Sequence, residues 1–406
     1  MRIIRLTVIV LALLLAALAI TAVSAEEAAD LSAQCTFKTD RNAWKYTRLV
    51  NGNYEKYWQS GKIKNPWLEI RSDEPMYTLY ICFRKMPESY ELQRKEGDEW
   101  VTLAEGDTRF YHVCYDLDGE TDIRIVVTSA KKTQLLINEL FVFGAGELPD
   151  WVQRWEETVE KADILFLVAH PDDELLFFAG AIPTYDTELG KRVLVAYLTC
   201  CDDTRRSEAL NGLWTMGVRH YPVFGLFKDK YSDNAKKAYQ NAGGSKKVLA
   251  WVTELFRQYK PEVVVTQDIK GEYGHGQHRM IADACIQCFD LAADPENDPE
   301  SAELYGTWEV KKLYIHRYGE KEDRLHFDWD VPLESLGGKT GMEAAIEAFE
   351  KHVTQYDLTF RIDGYKKPLR VEITGTYYEN TDFGLYATRV GPDEEKNDFL
   401  EHIDTE

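Results

Sequence analysis

The chain has 406 residues, with 48 Lys and Arg against 69 Asp and Glu, a formal net charge of −21. That length predicts two domains, and 44% hydrophobic with 12% aromatic residues supply a core that disordered chains lack. The acidic balance excludes a nucleic-acid partner and adsorption to anionic lipid, which need clustered Lys and Arg. It leaves a neutral substrate such as a sugar open.

Residues 6–23 are apolar, follow Arg2 and Arg5, and end in Val23, Ser24 and Ala25. A basic start, an apolar run and a small-residue exit predict a secretory signal peptide over residues 1–25, with the mature chain starting at Glu26. The expected location is secreted or extracytoplasmic, with no stable membrane insertion after cleavage. An uncleaved N-terminal anchor is the alternative, because the run nearly spans a bilayer. Seven cysteines follow. In an exported chain some are expected to pair, with one left free. Cys285 and Cys288 sit in a helical context and are expected as core residues or a local disulfide, not a redox motif.

Residues 34–147 carry short alternating apolar runs at 67–70, 77–83, 111–115, 123–127, 135–137 and 140–143. Turn residues separate them, which predicts an all-β sandwich. Residues 49–59 (LVNGNYEKYWQ) resemble the early segment of discoidin-type, galactose-binding-like jelly rolls. They depart from it in having Asn51 for Asp and no Thr. The resemblance implies a jelly roll, and sugar or surface binding by analogy alone. Trp44, Trp58, Trp67 and Trp100 are expected in the core. Residues 144–151 (GAGELPDW) bridge to a second domain expected over 148–406.

From about residue 160 the apolar runs become continuous: 164–169 (ILFLVA), 193–198 (VLVAYL) and 263–266 (VVVT). Such runs suit strands buried on both faces of a parallel sheet. Helices are expected over 207–216, 245–259 and 340–357, and strands over 310–316 and 368–378. The acidic run 294–303 is expected as a solvated loop. Alternating strands and helices predict an α/β fold, Rossmann-like, with a mostly parallel sheet and helices on both faces.

The first of these strands ends in 169–174 (AHPDDE), and the third is followed by 271–278 (GEYGHGQH). Open α/β sheets bind ligands beyond the carboxyl ends of their strands. Buried carboxylates are costly unless paired or metal-bound. Two imidazoles and a carboxylate, with an Asp and a His to spare, describe a hydrolytic metal site. The same triad also suits non-haem iron oxygenases, whose usual β-helical fold does not match the pattern here.

These two motifs resemble the PIG-L/LmbE-type de-N-acetylases of N-acetylglucosaminyl substrates. The resemblance implies His170, Asp173 and His278 as ligands of Zn2+, or of another divalent metal such as Fe2+. It implies Asp172 as general base, His275 as the group that stabilises or protonates the tetrahedral intermediate, and Tyr273 as a hydroxyl near the carbonyl oxygen. Residues 205–208 (RRSE) resemble the family's RxxE helix, so Arg205 is expected to face substrate. Residues 349–355 resemble its HxSQ segment, with Thr354 for Ser, and 384–388 with 390–393 its closing segment. Asp229 is expected to border the pocket. His112, His220, His316, His326 and His402 are expected to be structural. The function implied is hydrolysis of the acetamide of an N-acetylglucosamine-containing glycoconjugate to amine and acetate. A non-catalytic carbohydrate-binding surface protein that keeps the metal site is the alternative.

Overall fold

The computed structural model describes residues 26–40, 45–178, 180–325, 327–328, 331–355 and 382–405, and the backbone alone of 356, 360–363, 370–373 and 376–379. The expected signal peptide, Trp44 and His326 lie outside the described residues. No helix among the described residues is long and apolar enough to cross a membrane.

The N-terminal strands are β1 (Thr36–Lys38), β2 (Trp58–Gln59), β3 (Trp67–Lys85), β4 (Tyr90–Glu96), β5 (Glu99–Glu105), β6 (His112–Val127) and β7 (Leu136–Phe143). They pair antiparallel in the order β2-β7-β3-β6-β4-β5, with β1 on β3. The all-β expectation holds, but the expected runs merge. Runs 67–70 and 77–83 lie on one strand, as do most of 111–115 and 123–127. The β3–β6 ladder is irregular between Arg71 and Thr78. Opposite, Asp118 and Gly119 take positive φ, 52° and 88°. A bulge therefore bends both strands without ending them. The β4–β5 hairpin was not expected. Its β5 strand has no buried residue, and its charges suit a sheet edge that must not template further pairing.

The second region runs β8 (Ile164–Val168), α1 (Asp173–Phe177), β9 (Val193–Tyr197), α2 (Asp203–Thr215), β10 (Val223–Phe224), α3 (Ala235–Asn241), α4 (Ser245–Tyr259), β11 (Val263–Thr266) and α5 (Gly276–Leu291). It continues with α6 (Pro299–Tyr305), β12 (Lys312–His316), α7 (Gly341–Phe349), α8 (Val353–Tyr356), β13 (Phe360–Asp363), β14 (Arg370–Ile373), β15 (Thr376–Glu379) and β16 (Phe383–Thr388). Strands β13 to β15 form a small antiparallel sheet, so the strand expected over 368–378 is a hairpin.

The main sheet has the order β10-β9-β8-β11-β12-β16. Its ladders are parallel except β12–β16 at one edge. The chain steps outward from β8 to β10, then returns to β11 on the other side of β8. The switch point lies between β8 and β11, where their carboxyl ends leave a crevice.

Both faces of the sheet are covered. Ile164, Phe166 and Val168 share a cluster with Phe177 of α1, Leu210 of α2 and Ala345 of α7. Leu165 and Leu167 share another with Val252 of α4 and Ile281 of α5. The first cluster runs on into the N-terminal sheet through Leu79, Ile81 and Ile125.

Three expected elements differ. Helix α2 starts at Asp203 because Asp202 Oδ1 accepts from the amides of Thr204 (2.8 Å) and Arg205 (2.9 Å). The helix expected over 340–357 breaks between Phe349 and Val353. The acidic run 294–303 is loop only as far as Asp298, and Pro299 then starts α6. The fully buried Arg257 orders this run, donating to the carbonyls of Asp294 (2.6 Å), Asn297 (2.8 Å) and Asp298 (2.8 Å). All seven cysteines are free thiols, which overturns the expected pairing. Cys285 and Cys288 are core residues of α5, both fully buried.

Candidate metal centre

The crevice at the switch point gathers the two motifs. His170 follows β8, and Asp172 and Asp173 open α1. His278 lies in the first turn of α5, after the loop that leaves β11. Gly271 makes that loop possible. Its φ is +67°, and a Cβ there would come within 2.5 Å of the His275 carbonyl oxygen.

Hydrogen bonds decide which imidazole nitrogen faces the crevice. The Gln277 amide is oriented by its own Nε2, which donates to the Lys228 carbonyl at 3.2 Å. Its oxygen therefore accepts from His170 Nε2 at 3.0 Å, so Nδ1 is the nitrogen that faces the crevice. His278 Nδ1 donates to Glu272 Oε2 at 2.8 Å, leaving its Nε2 lone pair free. These two nitrogens lie 3.3 Å apart. His170 Nδ1 is 3.1 Å from Asp173 Oδ2, and His278 Nε2 is 3.4 Å from Asp173 Oδ1. Ligand bonds of about 2.0–2.1 Å in tetrahedral geometry put ligand atoms about 3.3–3.4 Å apart. The donor set therefore fits a divalent metal with one side left open. His275 also brings a nitrogen within 4.8 Å of His170 and His278. Its Nδ1, however, accepts the Gln277 amide at 3.2 Å as the cap of α5, so the tighter Asp173 set is preferred.

Electrostatics fit a cation. Burial alone would lower His170, but Asp173 and Asp229 outweigh it and push the imidazole up to about 10. Burial likewise opposes the charge of Asp173, yet His278 and His170 hold its carboxyl below the usual range. Asp229 Oδ1 sits 3.5 Å from His170 Nε2, at the half-exposed mouth. Its hydrogen bond to His170 holds it at about 2 despite burial.

Asp172 is 4% exposed and takes φ 108°, a left-handed conformation that a non-glycine residue rarely adopts. Its amide donates to Glu174 Oε2 at 3.0 Å, and its carbonyl accepts from Leu175 and Leu176 at 3.0 and 2.9 Å. Burial pushes its carboxyl up, against the pull of Arg205. Arg205 Nη2 lies 2.9 Å from Asp172 Oδ1 and donates to the Pro171 carbonyl. Its Nε lies 3.4 Å from Glu208 Oε2. Arg205 thus reaches both the base candidate and the helix partner Glu208.

Tyr273 has φ 45° and packs its ring 5.6 Å from that of His275 and 5.2 Å from that of His278. Burial lowers His275 to about 3, with His278 and His170 adding to it. His352 is fully buried, and among the described residues neither ring nitrogen has a hydrogen-bond partner.

The residues not singled out in the sequence are those that hold the ligands. Glu272 is fully buried and accepts from His278 Nδ1 (2.8 Å), His316 Nδ1 (2.7 Å) and the Asp268 amide (3.0 Å). His316, expected to be structural, ends β12 and reaches Glu272. Both Glu272 and Gln277 lie inside the GEYGHGQH segment, where a carboxylate six residues before a ligand imidazole was the available signal. The closing segment is structural: Asp393 takes Lys312 Nζ at 2.5 Å and the Tyr314 hydroxyl at 2.6 Å.

Residues 165–289 match the PIG-L family, described as GlcNAc-PI de-N-acetylase. A relative from Frankia casuarinae, 1D-myo-inositol 2-acetamido-2-deoxy-alpha-D-glucopyranoside deacetylase 1, is 29% identical over 181 residues. That alignment covers 37% of this chain and 57% of the relative, so little more than half of the relative's length is spanned. Among solved structures, the N,N'-diacetylchitobiose deacetylase from Pyrococcus horikoshii is 18% identical with a TM-score of 0.37, covering 48% of this chain and 71% of that one. The family 32 CBM from C. perfringens NanJ, solved with galactose, is 12% identical with a TM-score of 0.24, covering 29% and 99%. The motifs that hold the metal-ligand candidates, 169–174 and 271–278, both lie inside the matched span.

Proposed function

We propose that the protein is an exported, metal-dependent de-N-acetylase that hydrolyses the acetamide of an N-acetylglucosamine-containing glycoconjugate. Residues 1–25 are its signal peptide, 34–147 its sandwich domain and 148–406 its catalytic domain. The observation that carries the reading is the convergence of His170 Nδ1, His278 Nε2 and the Asp173 carboxylate beside the buried Asp172. The PIG-L match and the deacetylase relative support it.

His170, Asp173 and His278 would hold Zn2+ or another divalent ion such as Fe2+. When bound, such an ion polarises a carbonyl oxygen and lowers the pKa of a water to about 7. Asp172, whose burial raises its proton affinity, takes a proton from the attacking water and returns it to the departing amine. Arg205 keeps that carboxyl within reach of its charged form. His275 is neutral with its proton on Nε2, because Nδ1 accepts the Gln277 amide; it donates a hydrogen bond to the developing oxyanion. The Tyr273 hydroxyl adds a second donor. Asp229 and the outer face of Arg205 border the sugar.

The test is acetate release from N-acetylglucosaminides by metal-loaded protein. Asp172→Asn should keep the metal and lose about 10²–10⁴ in kcat. Metal binding without acetate release from any acetylated amino sugar would leave the non-catalytic carbohydrate-binding reading instead. Export is checked separately, since secreted material should start at or near Glu26.

A further inference from the structure

We propose that the cleft between the N-terminal sheet and α2 is a subsite for a sugar unit adjacent to the one being deacetylated. The substrate is then a glycan chain and not a free monosaccharide. This rests on the de-N-acetylase reading and extends it to the class of substrate.

The cleft is a cavity of about 400 Å³ with walls from both regions. Asn53 and Glu55 come from the loop before β2, Glu208 and Asn211 from α2, Lys351 from the turn after α7 and Val353 from the start of α8. Its size lies within the range of about 300–1,000 Å³ seen for small-molecule sites. The Asn53 amide, the Glu55 carboxylate and the Lys351 ammonium line it and suit a pyranose's ring of hydroxyls, and Val353, 76% exposed, offers an apolar surface to its C–H face.

Both walls are fixed in place. Glu139, fully buried, accepts the amides of Asn51 (3.1 Å) and Asn53 (2.8 Å), which pins the loop. Helix α2 is clamped to the sheet by Arg84, which bonds Thr204 Oγ1 at 3.1 Å and pairs with Asp203 at 3.1 Å. Gln153 adds a bridge, bonded to His112 at 2.7 Å and Asn211 at 2.7 Å. A preformed site avoids the entropy of ordering loops on binding.

The cleft adjoins the chemistry through one pair of largely buried side chains. Glu208 lines it and lies 3.4 Å from Arg205 Nε, while Arg205 Nη2 lies 2.9 Å from Asp172. The largely buried Arg205 side chain therefore separates the cleft from the base candidate, and the glycan would pass over it from one to the other.

The test compares kcat/KM for acetate release from tri-N-acetylchitotriose with that from N-acetylglucosamine. Val353→Trp and Glu55→Trp narrow the cleft from opposite walls, both at exposed positions. In each folded variant the trimer-to-monomer ratio should fall at least about tenfold, which is about 1.4 kcal/mol. Leu304→Trp, exposed on α6, controls for surface bulk. A ratio within twofold of wild type in either cleft variant overturns the subsite. If the wild type releases acetate from neither sugar, the two sugars are not its substrates and the deacetylase reading goes to the wider acetate-release assay above. The subsite is then judged by calorimetric titration of the trimer, where equal or absent binding in wild type and Val353→Trp overturns it.

Discussion

Glu272→Gln tests the ligand-orienting network. Three donors converge on the wild-type carboxylate: His278 Nδ1 on Oε2, with His316 Nδ1 and the Asp268 amide on Oε1. Glutamine offers one acceptor and one donor in the same space. With its NH2 at the Oε1 position it meets the Asp268 N–H, a donor that cannot change. With its NH2 at the Oε2 position it meets His278 Nδ1, and the imidazole must move its proton to Nε2. That nitrogen is the one 3.4 Å from Asp173 and 3.3 Å from His170, so the lone pair that a metal would use is lost. Disturbing a ligand's hydrogen-bond partner costs about 10–100-fold in metal affinity, or about 1.4–2.7 kcal/mol. The assay is competition for Zn2+ against a chromophoric chelator, with folding checked by circular dichroism. A folded variant that binds Zn2+ within twofold of wild type would show that Glu272 does not set the tautomer of His278.

Asp393→Ala leaves the fully buried Lys312 ammonium without its carboxylate and should cost about 3–5 kcal/mol of stability. Denaturant midpoints check this, and a loss under about 1 kcal/mol would refute it. Glu139 gives a pH dependence: burial pushes its carboxyl up to about 7, against the backbone amides of Asn53, Gly52 and Asn51. The folded state then keeps a proton that the unfolded chain releases near pH 4.3. Its contribution is complete below about pH 4.3 and is lost as pH rises through about 7. Glu139→Gln, neutral throughout, should flatten the Tm profile between about pH 5 and 8, and parallel profiles would count against the shift. Thiol titration of the unfolded chain without reductant should report all seven cysteines; a count of five or fewer would mean that a disulfide forms.

The candidate site residues were more legible than those that hold them. AHPDDE and GEYGHGQH stand out because ionisable groups at the ends of apolar strands have few structural uses. His316 and Glu272 did not stand out, since 44 residues separate them and only the parallel pairing of β11 with β12 brings them together. Continuous runs such as 164–169 marked buried strands well. The alternating runs of the N-terminal region marked the core face but not the strand ends, because a bulge lets a strand pass through turn-like residues such as Asp73 to Pro75. The β4–β5 hairpin escaped because an edge strand carries charge where a central one carries valine. The helix over 340–357 was too long because its amphipathic pattern resumes after the break at 350–352.

Helix α2 is a party wall. One side rests on the sandwich, with the Arg206 guanidinium stacked 3.3 Å from the Tyr111 ring centre, and the other carries Arg205 to Asp172. The two halves of the chain therefore have no clean seam. Cutting the sandwich away would strip the support from the helix that carries Arg205 to Asp172, and would bare the apolar cluster that both halves share. The N-terminal sheet is part of what makes the α/β half a stable body, and the chain should melt in one cooperative step.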